Sequence, residues 1–201
     1  MAQQLTLALA GTIRHDGSGG VTDDLADVPG LARWLHEQAP LLRPYAGSTE
    51  PLADVVDERS RQNVVAVRRA LRTLFAEAVR PGPPSRADSG ALLSVPEAIA
   101  QLNQAAAAMP VRPVLDWPSG ADPTLTWQGQ VAEVRLRLPA ALARAAVEFL
   151  ASPAREQLRA CPAPRCVRYF VKEHPRQEWC KPSCGNRARV ARHYQRHSAG
   201  R

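Results

Sequence analysis

Four cysteines, all that the chain contains, lie in one stretch near its C-terminal end. They form two close pairs, Cys161-x4-Cys166 and Cys180-x3-Cys184, separated by thirteen residues. Two close pairs with a spacer are typical of a closed tetrahedral zinc site, in which each pair spans one edge of the tetrahedron. Thiolate sulfur suits the borderline-soft Zn²⁺ ion, and a small module with little core needs such an ion to fold. The spacing therefore predicts one structural Zn²⁺ bound by all four cysteines.

Two other interpretations of the cysteines are open. Cys180 and Cys184 could bind a metal together with His193 and His197, but this choice leaves the first cysteine pair without a role. The eight residues between Cys184 and His193 are also fewer than the about twelve that such fingers use. Disulfide or redox chemistry is the other alternative, and it is uncommon for a cysteine cluster in a cytoplasmic protein.

Basic charge is concentrated in the same region. Residues 151–201 hold 12 Lys and Arg against 3 Asp and Glu. Residues 1–150 hold 14 Lys and Arg against 16 Asp and Glu. A polyanion is the simplest partner for such a region, and a solvated basic end that aids solubility is the alternative. No apolar run approaches the roughly eighteen residues that span a bilayer. The apolar stretch Leu5–Ala10 has no basic leader, so we expect a cytoplasmic protein without a secretory signal or membrane contact.

Hydrophobic periodicity predicts helices through much of the first 155 residues. They are Val28–Gln38, started by Asp27; Pro51–Arg80, capped by Thr49; Val95–Met109, with Ser94 and Glu97 in a capping box; and Pro139–Ala151. The longest helix has a row of arginines on its polar face, which we interpret as solvated. This row consists of Arg59, Arg61, Arg68, Arg69 and Arg72.

Short strands are predicted between the last two of these helices. Val111–Trp117 is one strand, and two more, Thr124–Trp127 and Val131–Leu138, are expected to form a hairpin around Gly129. The pattern predicts an α+β fold, with a mainly helical N-terminal domain over residues 1–155 that contains a small hairpin or β-meander. A second module is expected over residues 156–201.

No catalytic constellation is visible in the N-terminal part. It contains no Gly-rich phosphate loop and no cysteine nucleophile, and its two histidines, His15 and His36, belong to no motif. We therefore expect no enzyme activity. If this domain is a sensor, we expect a partly apolar pocket for a small-molecule effector, with Trp117 or Trp127 at its edge. Homodimerisation is a further role that we consider for it.

The cysteine module is predicted to be a treble-clef-like finger made of a knuckle, a hairpin and a helix. Val167–Val171 alternates like a strand, and Gln177–Trp179 is expected to form the second, returning strand of the hairpin. Pro182 then opens a helix that runs to about residue 197. Cys184 would lie in the first turn of this helix, where the helix dipole stabilises a thiolate.

Four basic side chains fall within about a third of the circumference of that last helix. They are Arg189, Arg192, His193 and Arg196. We predict that they contact the phosphates or a groove of DNA. Charges that only solvate a small domain are the alternative. Val190 and Tyr194 lie on another side of the helix, and we expect them to pack on the hairpin.

The motifs Trp179-Cys180 and Cys184-Gly185-Asn186-Arg187 carry a family resemblance. The finger region resembles the CGNR zinc finger of bacterial proteins, and the upstream region resembles the ABATE domain that usually precedes it. Weaker cues lie at Leu5–Arg14, Leu31–Leu35, Leu71–Phe75, Leu102-Asn103 and Gln157–Cys161.

This resemblance implies a transcription regulator linked to stress responses, with DNA as its partner. The alternative is a zinc-stapled module that mediates protein–protein contact without nucleic-acid binding. Within the motif, Arg187 lies off the basic side of the helix, which favours a structural role for it. No firm role is predicted for Asn186.

Overall fold

The computed structural model of this chain describes residues 1–46, 56–88, 90, 92–129 and 134–198. Its helices are α1 (Ala2–Ala10), α2 (Val28–Leu42), α3 (Glu58–Ala78), α4 (Val95–Ala107), α5 (Val134–Ala151) and α6 (Pro182–Ser198). None of the helices within these ranges is both long and apolar enough to cross a bilayer.

Within the described residues the strands form three antiparallel pairs. They are β1 (Ile13–His15) with β2 (Val21–Asp23), β3 (Val111–Asp116) with β4 (Thr124–Gly129), and β5 (Leu158–Ala160) with β6 (Tyr169–Val171). The last pair encloses the first two cysteines, since β5 ends just before Cys161 and β6 begins just after Cys166. The expected return strand at Gln177–Trp179 is wrong, because β6 pairs with β5 and residues 177–179 form no strand.

Side-chain caps start the helices where the sequence predicts them. The carboxylate of Asp27 accepts a hydrogen bond of 2.7 Å from the Gly30 amide at the start of α2. Ser94 and Glu97 form the predicted capping box of α4. The long helix α3 is capped by Asp57, which accepts from the Ser60 amide at 2.7 Å. The start that we predicted for this helix, near Thr49, lies outside the described residues.

The start of α5 differs from its prediction. Residues 131–133 lie outside the described part, but residues 134–138, expected in a strand, are helical. Pro139 lies inside this helix and has no N–H for the Arg135 carbonyl four residues earlier. The side-chain amide of Asn63 in α3 donates to that carbonyl at 3.1 Å, so the missing helical hydrogen bond is replaced by a contact between helices.

One continuous core joins the N-terminal helices to the finger. Phe75 of α3 packs edge to face against Phe149 of α5, with ring centroids 5.7 Å apart. Phe75 also contacts Tyr169 of β6 in the same manner, with ring centroids 5.2 Å apart. Leu158 of β5 is also fully buried in this core. The division of the chain near residue 155 stays a prediction, since β5 and β6 share the core of the helices before them.

Two arginines of α3 are buried, so the interpretation of its arginine row as solvated is wrong for them. Arg72 is 2% exposed and donates to the Asp88 carboxylate at 2.7 Å and to the Ala10 carbonyl at 2.6 Å. Arg68 is 4% exposed and forms two hydrogen bonds with Asp23, at 2.5 and 2.6 Å. Helical periodicity gives the direction of each side chain, but it does not show that aspartates from other segments meet them there.

Candidate metal centre

The sulfur atoms of Cys161, Cys166, Cys180 and Cys184 all lie within 4.8 Å of one another. Cys180 Sγ is 3.7 Å from Cys166 Sγ and 3.5 Å from Cys184 Sγ. In a tetrahedral zinc site with Zn–S bonds of about 2.3 Å, the sulfur atoms are about 3.8 Å apart. The cluster therefore has the size of such a site, and its four cysteines are positioned to hold one metal ion.

The backbone around the first pair forms a tight knuckle between β5 and β6. Arg165, just before Cys166, adopts a left-handed conformation with φ of 63°. The Cys161 amide donates to the Arg168 carbonyl at 2.9 Å, and the Cys166 amide donates to the Ala163 carbonyl at 3.0 Å. These bonds close the turn and direct both sulfur atoms to one side.

The second pair comes from the start of α6. Cys184 is the third residue of this helix, as predicted, and its amide donates to the Lys181 carbonyl at 3.0 Å. The next residue is Gly185, and the packing around it explains why it is a glycine. A Cβ on Gly185 would lie 2.8 Å from the ring of Trp179, so the indole occupies the space that any larger residue would need. Trp179 and Gly185 thus fit together beside Cys180 and Cys184.

The cluster is shielded from water. Cys184, Cys166 and Cys161 are buried, and Cys180 is partly buried. Phe170 and Ala163 are buried in the same small cluster, and Trp179 packs against it. A dry apolar shell with four protein sulfurs is the arrangement of a structural site rather than of a catalytic one, because a catalytic zinc keeps a position open to solvent.

The proximity of the thiols explains why the cluster favours a cation. Hydrogen bonds from the thiols of Cys166 and Cys180 lower the pKa of Cys161 to about 2. Hydrogen bonding to Cys161 in turn raises the pKa of Cys166, to about 11, and raises the pKa of Cys180 as well. Ionising one thiol thus opposes ionisation of its neighbours. A divalent ion removes this conflict, because it stabilises several thiolates at once.

Arg187 connects the cluster to the N-terminal part of the chain. Its guanidinium donates to Cys184 Sγ at 3.2 Å and lies 3.0 Å from His15 Nε2 in β1. A cation beside a metal-bound sulfur offsets part of the excess negative charge of a four-thiolate site. The predicted structural role of Arg187 agrees with these contacts. The neighbouring Asn186 accepts a hydrogen bond from Arg189 at 2.9 Å.

A buried polar network links Val167 and Tyr169, which follow the knuckle, to Arg72 of α3. The Val167 carbonyl accepts from Ser85 Oγ at 2.8 Å and from Arg72 at 3.4 Å. The Tyr169 hydroxyl donates to the second carboxylate oxygen of Asp88 at 2.6 Å. The same aspartate is the ion-pair partner of Arg72. Sequence reasoning missed this network, since its members are far apart along the chain and belong to no motif.

The predicted DNA-contacting residues lie together on α6. Arg189, Arg192, His193 and Arg196 are all exposed. The expected packing of Val190 and Tyr194 on the hairpin is wrong, since these side chains are 54% and 67% exposed. The ring of Tyr194 packs edge to face against that of its neighbour His193, with ring centroids 6.1 Å apart.

These observations define a class of protein, namely a helical α+β domain joined to a four-cysteine finger with a structural site. A family model named ABATE, described as "Putative stress-induced transcription regulator", matches residues 3–153. A model of the CGNR zinc finger matches residues 157–197. The chain belongs to the ABATE family and ends in a CGNR zinc finger, which confirms the resemblance and the predicted fold class. No curated protein matches the chain.

The match to a zinc-finger family agrees with the four-cysteine cluster of the structure. A CGNR zinc finger with four cysteines placed to hold one ion is consistent with the single structural Zn²⁺ that the spacing predicts. In the motif that names the finger, the cysteine belongs to the cluster, the glycine accommodates Trp179, and the arginine donates to the cysteine sulfur. The pocket expected beside Trp117 or Trp127 stays a prediction.

Proposed function

We propose that this protein is a DNA-binding transcription regulator in which one structural Zn²⁺ positions a basic helix. The observation that carries the proposal is the α6 arginine row, Arg189, Arg192 and Arg196, which is exposed along one side of the helix together with His193. The family description, a stress-induced transcription regulator, supports the same function. The proposed ligands of the ion are the clustered cysteines, Cys161, Cys166, Cys180 and Cys184.

The geometry of α6 suits entry into a groove. Its first half is anchored, since Cys184, Gly185 and Ala188 are buried, whereas every side chain from Arg192 to Arg196 is exposed. A helix of 17 residues is about 25 Å long. Its exposed half is narrow enough for the DNA major groove, which is about 12 Å wide. Arginines on that half would neutralise phosphates and release condensed counterions.

The DNA proposal is tested by fluorescence anisotropy with duplex DNA across a salt series. Each phosphate contact contributes about one to the slope of log affinity against log salt. Replacing the α6 arginine row with alanine should weaken binding and flatten the slope by up to about three. The matched control replaces three exposed arginines of the N-terminal part, Arg33, Arg59 and Arg155, and so removes the same charge.

Two results would contradict the proposal. If the unmodified protein shows no binding even at low salt, DNA is not its partner. If the control variant flattens the salt slope as much as the α6 variant does, the effect comes from net charge and the helix is not the contact surface.

The metal assignment is tested by elemental analysis of purified variants. Cys184→Ser should lose zinc and unfold the finger, because metal binding and folding of such modules are coupled. His193→Ala should keep its zinc, since His193 is exposed and the four cysteines complete the site. Full zinc occupancy in Cys184→Ser would refute the four-cysteine assignment, and zinc loss in His193→Ala would favour the mixed cysteine and histidine site.

The alternative function is a zinc-stapled interaction module without DNA binding. The contacts of the finger with the rest of the chain favour it, since Tyr169 and Leu158 are buried in the N-terminal core and Arg187 reaches His15. These contacts use β5, β6 and the second turn of α6, and they leave the α6 arginine row exposed. The exposed row is the reason that we favour DNA.

The other expectations form part of the same proposal. We infer a cytoplasmic protein without catalytic activity, whose partners at the N-terminal domain are a small-molecule effector or a second copy of the chain. Both matched families, a regulator and a zinc finger, support the absence of catalysis.

A further inference from the structure

A cleft of about 580 Å³ lies between the N-terminal domain and the finger. One wall is the segment that follows α3, from Val79 to Arg86. The other wall is formed by β5, the knuckle and β6, together with Gln177 and Glu178. Sites for small organic molecules typically have volumes of about 300–1,000 Å³ and often lie where two parts of a protein meet. The size and the place of this cleft therefore suit a small ligand.

The walls differ in chemistry. Pro83 and Pro84 on the loop side have no N–H and offer an apolar surface. Val79 adds to this surface, and Phe170 faces it from the finger side. Apolar contact in the cleft is thus available for a flat hydrocarbon body, while polar recognition has to come from charged side chains at its margin.

Three cations and one carboxylate line the cleft, namely Arg86, Arg159, Lys172 and Glu178. Arg159 donates to the carbonyls of Glu156 and Leu158 at 2.7 Å, and Lys172 donates to the Pro175 carbonyl at 2.6 Å. These carbonyl partners are neutral, so they orient the cations without cancelling their charge. The cleft therefore has an excess of positive charge beside an apolar surface.

We propose that this cleft binds a small organic anion with a flat apolar body, such as an aromatic carboxylate or sulfonate. The anionic group lies against Lys172 and Arg159, and the apolar body lies between Phe170 and the proline loop. This inference gives the expected effector a chemistry and a site other than the surroundings of Trp117 and Trp127, and it does not depend on DNA binding.

Such a ligand would contact the shell of the metal cluster directly. Cys161 and Phe170 belong both to the lining of the cleft and to the buried cluster around the sulfurs. The cleft exists only while β5 and β6 hold the knuckle against the loop after α3. Ligand binding and the folded, metal-bound finger therefore stabilise each other by linkage.

Fluorescence titration of the zinc-loaded full-length protein with anilinonaphthalene sulfonate tests the proposal. The uncharged analogue phenylnaphthylamine, which lacks only the sulfonate, measures the apolar contribution. The sulfonate should bind about tenfold more tightly than the analogue, as expected for one charge-assisted contact. Unlabelled naphthoate should displace it, whereas short duplex DNA should not.

Four substitutions locate the site. Lys172→Gln and Arg159→Gln should each weaken sulfonate binding about three- to tenfold, with little change for the uncharged analogue. Glu178→Gln should tighten sulfonate binding, because it removes the only carboxylate among the described residues of the lining. Arg176→Gln is the matched control, since Arg176 is basic, exposed and close in sequence but is not part of the lining. Unchanged zinc content and melting temperature show that the variants are folded.

Three outcomes would overturn the proposal. Equal affinity for the sulfonate and its uncharged analogue would show that the site does not select anions. Unchanged sulfonate binding in Lys172→Gln and Arg159→Gln would place the probe elsewhere, for example on the exposed side chains of Leu115 and Trp117. Displacement by duplex DNA would assign the cleft to nucleic-acid phosphate. None of these results depends on whether the α6 arginine row binds DNA.

Discussion

Two helices of this protein carry arginines one turn apart, and their surroundings are opposite. On α3, Arg68 and Arg72 are buried, and each forms an ion pair with an aspartate of another segment. On α6, Arg192 and Arg196 have the same spacing and are exposed. The spacing of arginines on a helix therefore does not decide their role. The decisive feature is whether carboxylates from elsewhere in the chain meet them in the fold.

The difference separates stability from recognition. A buried arginine with a complete set of partners holds segments together. Removing it leaves a buried carboxylate without a neighbouring positive charge. An exposed arginine contributes little to folding, and its charge stays available to an external anion. The contrast between α3 and α6 can be tested by changing arginines on each helix and measuring folding, as the following predictions state.

The largest effect is expected for Arg72→Met. Asp88, which is 5% exposed, would lose its ion-pair partner, and the carbonyls of Ala10 and Val167 would lose a donor. Removing one member of a buried ion pair costs about 3–5 kcal/mol of unfolding free energy. Denaturant unfolding measures this loss. Arg59→Met, an exposed arginine of the same helix, is the control and should change stability by less than about 0.5 kcal/mol. Equal losses of unfolding free energy in Arg72→Met and Arg59→Met would contradict the difference between buried and exposed arginines.

A smaller effect, visible in acid, is expected for Arg68→Met. Burial opposes ionisation of Asp23, but the hydrogen bonds and charge of Arg68 outweigh it and lower the pKa of this aspartate. A lowered pKa in the folded state adds stability above the ordinary Asp value of about 4. This stability is lost as the pH falls through the pKa that Asp23 has in the folded protein. Unfolding free energies measured from neutral pH to below 4 should therefore depend less on pH in Arg68→Met than in the unmodified protein.

Asp23→Asn is the matched variant for this measurement, because it removes the titrating group and keeps the arginine. Its acid dependence should resemble that of Arg68→Met. An unchanged acid dependence in both variants would show that other carboxylates dominate the acid response of the protein.

The smallest effect on folding is expected when the α6 arginine row is replaced with alanine. Exposed charges on a helix contribute little, so the unfolding free energy should change by less than about 1 kcal/mol in total. Zinc content should also be unchanged. Gly185→Ala is a positive control on the same helix, because its methyl group would lie 2.8 Å from the Trp179 ring and destabilise the finger. A large loss of stability in the arginine variant would mean that the row is structural after all.

The features that the sequence predicts correctly are local. The capping box of Ser94 and Glu97 and the cap at Asp27 depend on residues three apart, and both are confirmed. The cysteine spacing predicts the cluster for the same reason, since each pair is formed within one turn of backbone. The position of Cys184 in the first turn of α6 follows from the proline before it.

The features that sequence reasoning missed depend on distant segments. Residues 134–138 alternate between apolar and basic side chains like a strand, yet they are helical and the Arg135 carbonyl is bonded by Asn63 from α3. The partners of Arg68 and Arg72 lie in β2 and in the loop after α3. The contact of Arg187 with His15 joins positions far apart in the chain. No local pattern reports such pairings.

The position of Tyr169 and Leu158 in the N-terminal core has a consequence for how the protein is made. Domains generally fold in order as the chain leaves the ribosome. Here two residues that complete the core around Phe75 belong to the last quarter of the chain and lie on either side of the first cysteine pair. The N-terminal helices can therefore finish packing only once the knuckle has been synthesised. Completion of the N-terminal core is therefore expected to be coupled to folding of the finger and, through it, to binding of the proposed zinc ion.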